Sequence, residues 1–345
     1  MQSLAWDEPG VYPVAPGVHR IPLPMPNDGL RAVNVYAIDG GAEGGCVLID
    51  GGWAVAEAQH ALEAALGEIG YGFEDIRRIL VTHAHRDHYT LAVTLQRTFG
   101  TRVAIGIGER DNVEQAMREA TSSAARVLPN LGADHLSKVW DELYTTEDRA
   151  RSAASFGLPD EWVADGQALD AGTRTLTAIQ TPGHTHGHLV YLDPVASVLF
   201  TGDHVLPHIT PSIGFEAARV DNPLGDFLRS LQLLLSHPDA VMMPAHGVHG
   251  GSVHKRVHEL MTHHDVRLAD TLAAARAGAG TAYEAARRLG WTRRHTPFDQ
   301  LDMFNQILAI GETNAHLVVL TERGQLTRSV DGAGLITYEP AEPTP

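Results

Sequence analysis

The chain has 345 residues, 43% of them hydrophobic and 20% charged, which places it with ordinary globular proteins and excludes disordered and fibrous classes. No run approaches the roughly 18 apolar residues needed to cross a bilayer, and a single cysteine, Cys46, excludes an intrachain disulfide and a thiolate metal cluster. The formal charge is −16; residues 251–345 hold 10 Lys+Arg against 11 Asp+Glu, which leaves −15 on residues 1–250, a field that repels phosphate backbones.

The opening MQSLAWDEPG lacks the basic-then-apolar pattern of a signal peptide, so a cytoplasmic location is expected. Residues 17–50 alternate short apolar runs with Gly, Pro and Asn (VHRIPLP, AVNVYAI, CVLID), the pattern of consecutive strands joined by tight turns. Among them DGGAEGG reads as a hairpin loop, because it lacks the Gly-Lys-Ser/Thr ending of a phosphate loop. Cys46 fits a buried strand as a small apolar thiol. AVAEAQHALEAALGEIG has helical spacing, and IRRILVTH then reads as a buried strand running into HAHRDH, an α/β order.

After a strand at TRVAIG, the pattern turns helical and irregular from about Glu109 to Asp165. ERDNVEQAMREATSSAARVL and KVWDELYTTEDRARSAASF read as surface or lid helices with their acidic residues in solvent. Strands at TRTLTAIQ, HLVYLD and SVLFTGD each end near a His or Asp, and a helix at LGDFLRSLQLLLSH and a strand at AVMMPAHG complete this unit. Three further helices (VHKRVHELMTHHDVRLADTLAAA, TAYEAARRLG, FNQILAIGETNAHLVVL) and a ribbon at GQLTRSVDGAGLITY suggest a winged helix. The expected organisation is a catalytic domain over 1–250, with a helical insertion at about 106–165, and a small winged-helix-like domain over 251–345.

The run from Thr82 to His88 (THAHRDH) sets four ligand-type side chains at the end of an apolar strand. His83 and His85 share one side of an extended chain, while Asp87 and His88 lie beyond the bend and could serve a second ion. A lone histidine there would be bland. The set is not, because TPGHTHGH, FTGDH and PAHG add His184, Asp203 and His246, each where an apolar strand meets a Gly-containing loop.

HAHRDH followed by TPGH, TGD and PAHG resembles the metallo-β-lactamase superfamily, whose motif is His-x-His-x-Asp-His and then His, Asp and His at the same kinds of strand ends. The resemblance implies an α/β fold of four αββα layers and two divalent ions, zinc by expectation, with iron or manganese as alternatives. It implies His83, His85 and His184 around the first ion, Asp87, His88 and His246 around the second, and Asp203 bridging both, which makes Asp87 and Asp203 the catalytic candidates. Asp50 in LIDGG matches the superfamily's aspartate behind the metal loop. A metal-bound hydroxide formed from such a pair, by lowering the pKa of water from 15.7 to about 7, points to hydrolysis of a small-molecule carboxylic ester, thioester or lactone.

Departures from the pattern narrow this. Asp203 stands where many zinc β-lactamases carry cysteine, which disfavours antibiotic hydrolysis, and His85 disfavours the diiron electron-transfer class. Tyr89-Thr90 replaces the Gly-Gly of many relatives, so Tyr89 becomes a candidate for the substrate pocket. His208 is another, on the loop that leaves Asp203. His186, His188 and His204 are expected as neighbours of the ligands. Two alternatives stand: a phosphodiesterase or nuclease on the same metals, with Arg287, Arg288, Arg293 and Arg294 reading nucleic acid, and a mononuclear iron oxygenase resembling persulfide dioxygenases. The negative field weighs against the first, so the expected partner is a small-molecule substrate, with no nucleic acid and no membrane; a homo-oligomer is compatible with this.

Overall fold

A computed structural model describes residues 5–118, 126–216, 218 and 220–342. Its first sheet takes seven strands in spatial order: β1 (Tyr12–Ala15), β2 (Val18–Pro24), β3 (Ala32–Asp39), β4 (Cys46–Ile49), β5 (Ile76–Val81), β6 (Arg102–Gly106) and β7 (Glu161–Val163). Short turns make β1 to β4 antiparallel. From β4 onward the strands run parallel, and parallel neighbours need crossovers: α1 (Ala56–Glu68) joins β4 to β5, and α2 (Arg86–Phe99) joins β5 to β6. Between β6 and β7 lies the insertion, with α3 (Arg110–Arg118), α4 (Asp134–Leu143) and α5 (Thr146–Ser155). Of the helix expected over residues 109–128, residues 119–125 lie outside the described residues. The next expected helix breaks at Thr145, whose hydroxyl accepts the Asp148 N–H at 3.1 Å while the Asp148 carboxylate accepts the Thr145 N–H, so a capping box starts α5.

The second sheet runs β12 (Val241–Pro244), β11 (Val198–Gly202), β10 (Leu189–Asp193), β9 (Thr175–Gln180), β8 (Ala168–Asp170). It is antiparallel except for β11 and β12, which α6 (Pro223–Leu234) connects in parallel. Alternation along the strands builds the layers. On β5, Ile79 and Val81 face α1 and α2, beside Leu62 and Leu91, while Leu80 faces the second sheet. On β10, Leu189 and Tyr191 face the first sheet, beside Ile49 and Leu80, while Val190 faces Phe227 and Leu231 of α6. The result is the four-layer αββα metallo-β-lactamase fold.

The C-terminal part has α7 (Val253–Arg276), α8 (Ala282–Ala286), a minimal pair β13 (Gly290–Trp291) and β14 (Thr296–Pro297), α9 (Met303–Glu322), and a hairpin of β15 (Leu326–Val330) with β16 (Ile336–Pro340). Leu260, Ile310 and Leu317 share one apolar cluster with Phe227 and Val190, so these helices cover the outer face of the second sheet. They also hold the loop after β11 from behind: Arg256 donates to the carbonyls of Leu206 at 2.6 Å and Ile209 at 3.0 Å, and Arg293 donates to that of His208. Among the described residues no helix is long and apolar enough to cross a membrane.

Candidate metal centre

The expected ligands all leave strand ends at one edge of the sandwich. His83 to His88 follow β5, His184 lies between β9 and β10, Asp203 follows β11, and His246 follows β12. There the donor atoms form two groups. In the first, His184 Nε2 lies 3.2 Å from His83 Nε2, 3.0 Å from His85 Nδ1 and 3.4 Å from Asp203 Oδ2. In the second, Asp87 Oδ2 lies 3.5 Å from His88 Nε2 and 3.4 Å from His246 Nε2, and Asp203 Oδ1 lies 3.3 Å from His246 Nε2. His83, His85, His184 and Asp203 each place one ligand atom within 4.8 Å of the others, and so do Asp87, His88 and His246. Asp203 turns one oxygen to each group.

The outward nitrogen of each imidazole is tied down. His246 Nδ1 donates to the Ala32 carbonyl at 2.8 Å, His184 Nδ1 to Ser212 at 2.7 Å, and His85 Nε2 to Phe215 at 3.1 Å. His88 Nδ1 donates to Asp50 Oδ2 at 2.9 Å. His83 Nδ1 donates to Thr82 Oγ1 at 3.0 Å, and that hydroxyl in turn donates to Asp50. These bonds set the tautomers so that every inward nitrogen presents a lone pair. Three inward atoms, His88 Nε2, His246 Nε2 and Asp203 Oδ1, are buried without a hydrogen-bond partner, which is costly unless a cation takes their lone pairs.

Electrostatics agree with that fit. Burial and the neighbouring imidazoles push His83 well below its usual range and His85 down to about 3, leaving neutral ligands. Burial also opposes charge on His88, but Asp87, Asp50 and Asp203 outweigh it and raise His88 to about 10. The same balance, led by Asp203 and Asp87, raises His246. The second group therefore demands positive charge, which protons or a metal ion can supply.

Asp50 sits behind both groups. Its backbone is left-handed, with φ 62°, and its carboxylate accepts the Thr82 N–H at 2.8 Å as well as His88 Nδ1–H. His188, expected only as a neighbour, supports Asp203. Its Nδ1 bonds Thr181 Oγ1 at 3.0 Å and its Nε2 accepts the Asp203 N–H at 3.2 Å. Gly202 is required at this point. Its φ is 49°, and a Cβ there would lie 2.6 Å from His188 Nε2.

Other expected residues fall elsewhere. Tyr89 is no pocket residue: it is fully buried, packs near Phe156 and donates its hydroxyl to the Gly157 carbonyl at 2.7 Å. One position along α2 turns the side chain about 100° away from His88 and into the core. His208 is exposed, and its ring lies beside Gly247, next to His246. His186 is exposed, and His204 is buried against Phe227. Cys46 is fully buried, and burial pushes its thiol up to about 12. Glu109, expected in solvent, is fully buried; ERDN holds one of its partners, Asn112, but the hydroxyl of Thr185 comes from 76 positions away, which the local sequence does not signal. A cavity of about 310 Å³ opens between Leu131, Gly214, Asn314 and Tyr338, and none of the seven donor residues lines it.

This fold and donor set define a class, and sequence comparison agrees. Residues 28–246 match the metallo-beta-lactamase superfamily, and residues 268–341 match the metallo-beta-lactamase-like C-terminal domain. The chain belongs to the metallo-beta-lactamase superfamily of metallo-hydrolases. It is similar to a metallo-beta-lactamase family protein from Thermus thermophilus, whose crystal structure aligns with a TM-score of 0.76 at 31% identity over 94% of this chain and 99% of that one. It is 24% identical to the "Probable metallo-hydrolase YqjP" of Bacillus subtilis (strain 168), over 91% of this chain and 94% of that protein. It is also 31% identical over 140 residues to an atrochrysone carboxyl ACP thioesterase of Emericella nidulans, a match covering 40% of this chain and 43% of that protein.

Proposed function

We propose that this chain is a binuclear metal-dependent hydrolase of a small-molecule carboxylic ester, thioester or lactone. One observation carries the reading: seven side chains turn their donor atoms into one space in two groups, and the two oxygens of Asp203 divide between them. His83, His85, His184 and Asp203 Oδ2 would hold one ion; Asp87, His88, His246 and Asp203 Oδ1 would hold the other. Imidazole and carboxylate donors favour zinc and also accommodate iron or manganese. When bound, such a pair supplies Lewis-acid chemistry, bringing the pKa of water toward about 7 and polarising a carbonyl.

The chain's own groups orient and complete that chemistry. Burial raises the Asp87 carboxyl, but His88 and His246 outweigh it and hold it well below the usual range, so it stays ionised, able to ligate an ion and to accept a hydrogen bond that orients water. Cys46 is no rival nucleophile, being buried and protonated. His208 lies beside Gly247, next to His246, so its loop would wall the approach to the site, and the length of the insertion suits it as a second wall. Similarity to a thioesterase supports the thioester end of the range.

Against a nuclease, Arg287 pairs with Asp299 at 3.2 Å, Arg288 donates to the Ala277 carbonyl at 2.6 Å, and Arg293 donates to His208, so these arginines serve the fold. With the −15 charge of residues 1–250, this supports a small-molecule partner. The C-terminal helices and terminal hairpin follow the order of a winged helix, and their role here is to brace the loop after β11. The test is elemental analysis of protein purified without added metal, with thioester, lactone, aryl ester and phosphodiester substrates assayed before and after chelation. Two ions per chain and chelator-sensitive acyl hydrolysis are expected. A stoichiometry held at one in excess metal, or turnover of phosphodiesters alone, would overturn the reading.

A further inference from the structure

Glu109 is the last residue of a short turn that leads from β6 into α3, and its carboxylate is fully buried although its neighbours Arg110 and Asp111 are not. It is not a ligand, yet it touches both ligand loops of the first group. It accepts the backbone N–H of Ala84, which lies between His83 and His85. It accepts the hydroxyl of Thr185, which follows His184. Asn112 Nδ2 donates to Glu109 Oε2 at 2.9 Å and to Glu216 Oε2 at 2.8 Å. Glu216 Oε2 also accepts the His186 N–H at 2.9 Å, and Asn112 Oδ1 accepts the Ala218 N–H at 2.8 Å. The network therefore reaches the segment whose Ser212 and Phe215 carbonyls hold His184 and His85.

The backbones are pressed together to allow this. A Cβ at Gly187 would lie 2.0 Å from Glu109 N, and one at Gly106 would lie 2.3 Å from the Gly187 carbonyl oxygen. Glycine on both chains lets the turn before α3 lie directly on the His184 loop. None of these bonds reaches Asp87, His88 or His246, the donors that belong only to the second group.

We infer that Glu109 is a positioning residue which clamps the His83–His85 turn, the His184 loop and the Ser212–Glu216 segment into one arrangement, and so preorganises the first metal half-site selectively. Burial raises the Glu109 carboxyl, against the hydrogen bonds from Thr185, Asn112 and Ala84; several donors converging on one buried group are what keep it in place. The inference rests on the proposed two-ion reading, and the insertion thereby acts on the metal site through α3.

Zinc affinity of the full chain, measured by competition with a chromophoric chelator, tests it. His184→Ala and His246→Ala assign the two binding classes, since each removes a ligand from one half only. Glu109→Ala should weaken the first half-site by about 10- to 100-fold and leave the second within about twofold. Glu109→Gln, which keeps an acceptor for Thr185 but turns an NH2 group toward the Asn112 Nδ2 donor, should recover only part of the loss. Thr185→Val should weaken the same half by a smaller factor, and it carries the test with Glu109→Gln if Glu109→Ala fails to fold. Cobalt(II) substitution should show altered absorption from the first half alone. Unchanged affinities, or equal weakening of both halves, would overturn the clamp while leaving the two-ion reading intact. Failure of the unaltered protein to bind at the first half would overturn both.

Discussion

Replacing Asp50 by asparagine separates the orientation of a ligand from the stability of the fold. Asparagine is nearly isosteric and tolerates the left-handed backbone at φ 62°. Its oxygen can still accept the Thr82 N–H, now held at 2.8 Å, but its NH2 group would then face His88 Nδ1, which donates at 2.9 Å to the present carboxylate. Two donors cannot bond. Either His88 loses its support, or its proton moves to Nε2, the atom that points at the second group, and blocks it. Loss of such an orienting bond weakens metal binding by about 10- to 100-fold, or about 1.4 to 2.8 kcal/mol. His83 leans on Asp50 only through Thr82, so the first half-site should change by about twofold or less. Metal-free stability should fall by about 1.5 to 3 kcal/mol, the scale of a hydrogen bond between charged groups, since Asp50 helps to hold His88 protonated there. Chelator competition for each half and thermal melting of the metal-free protein measure both quantities. Wild-type affinity at the second half, or an equal loss at both, would refute the reasoning.

Asp203→Ala removes the residue that serves both groups, so it should cost at least one ion per chain by elemental analysis and lower kcat/KM by about 1000-fold or more, with a smaller change in metal-free melting. Tyr89→Phe should cost about 1 kcal/mol of stability, from the bond to Gly157, and leave kcat/KM within about twofold, as expected of a core residue. His208→Ala should change kcat/KM for a good substrate by about tenfold while both ions stay bound, because its ring borders Gly247 rather than the donor cluster. An indifferent His208 variant would remove that residue from the substrate wall and leave the metal reading untouched.

What the sequence disclosed was decided by how local each signal is. HAHRDH packs four ligand-type side chains into six positions, and the other three sit in short His- or Asp-bearing loops after apolar strands, so the side chains that the fold brings together as candidate ligands were visible before any fold was known. Asp50 was visible for the same reason, as the residue closing CVLID. The supports were not visible. Thr82 and His188 work by contacts across strands, and Glu109 meets Thr185 from 76 positions away. A glutamate at the start of a polar helix reads as solvated because nothing near it is apolar; only the close approach of Gly106, Gly108 and Gly187 buries it. Tyr89 misled for the opposite reason. Next to two ligands in sequence, it lies on a different face of α2, and helix geometry rather than proximity decides where it points. The strands β7 and β8, three residues each, were too short to register against the helical insertion beside them.

The two groups draw on both sheets, and this couples the site to the architecture. The first group joins His83 and His85, which follow β5, with His184 and Asp203, which leave the second sheet; the second joins Asp87 and His88 with His246 and the same Asp203. Their spacing therefore depends on how the sheets are held at this edge. Hydrogen bonds between the sheets help to hold it, among them those from the Tyr36 hydroxyl to the Pro244 carbonyl at 2.8 Å, from Asn34 Nδ2 to the Gly247 carbonyl at 3.0 Å, and from the Tyr191 hydroxyl to the Val81 carbonyl at 2.7 Å. Each ties one sheet to a ligand loop or strand end of the other. Ions bound across the same edge would add to this cross-sheet restraint, and binding to the folded state alone stabilises it by about 2.7 kcal/mol at a ligand concentration 100 times the dissociation constant. Catalytic geometry and sandwich closure thus rest on the same few strand ends, and the insertion and the C-terminal helices, which meet that edge through Glu109 and Arg256, reach the site by bracing it rather than by supplying donors.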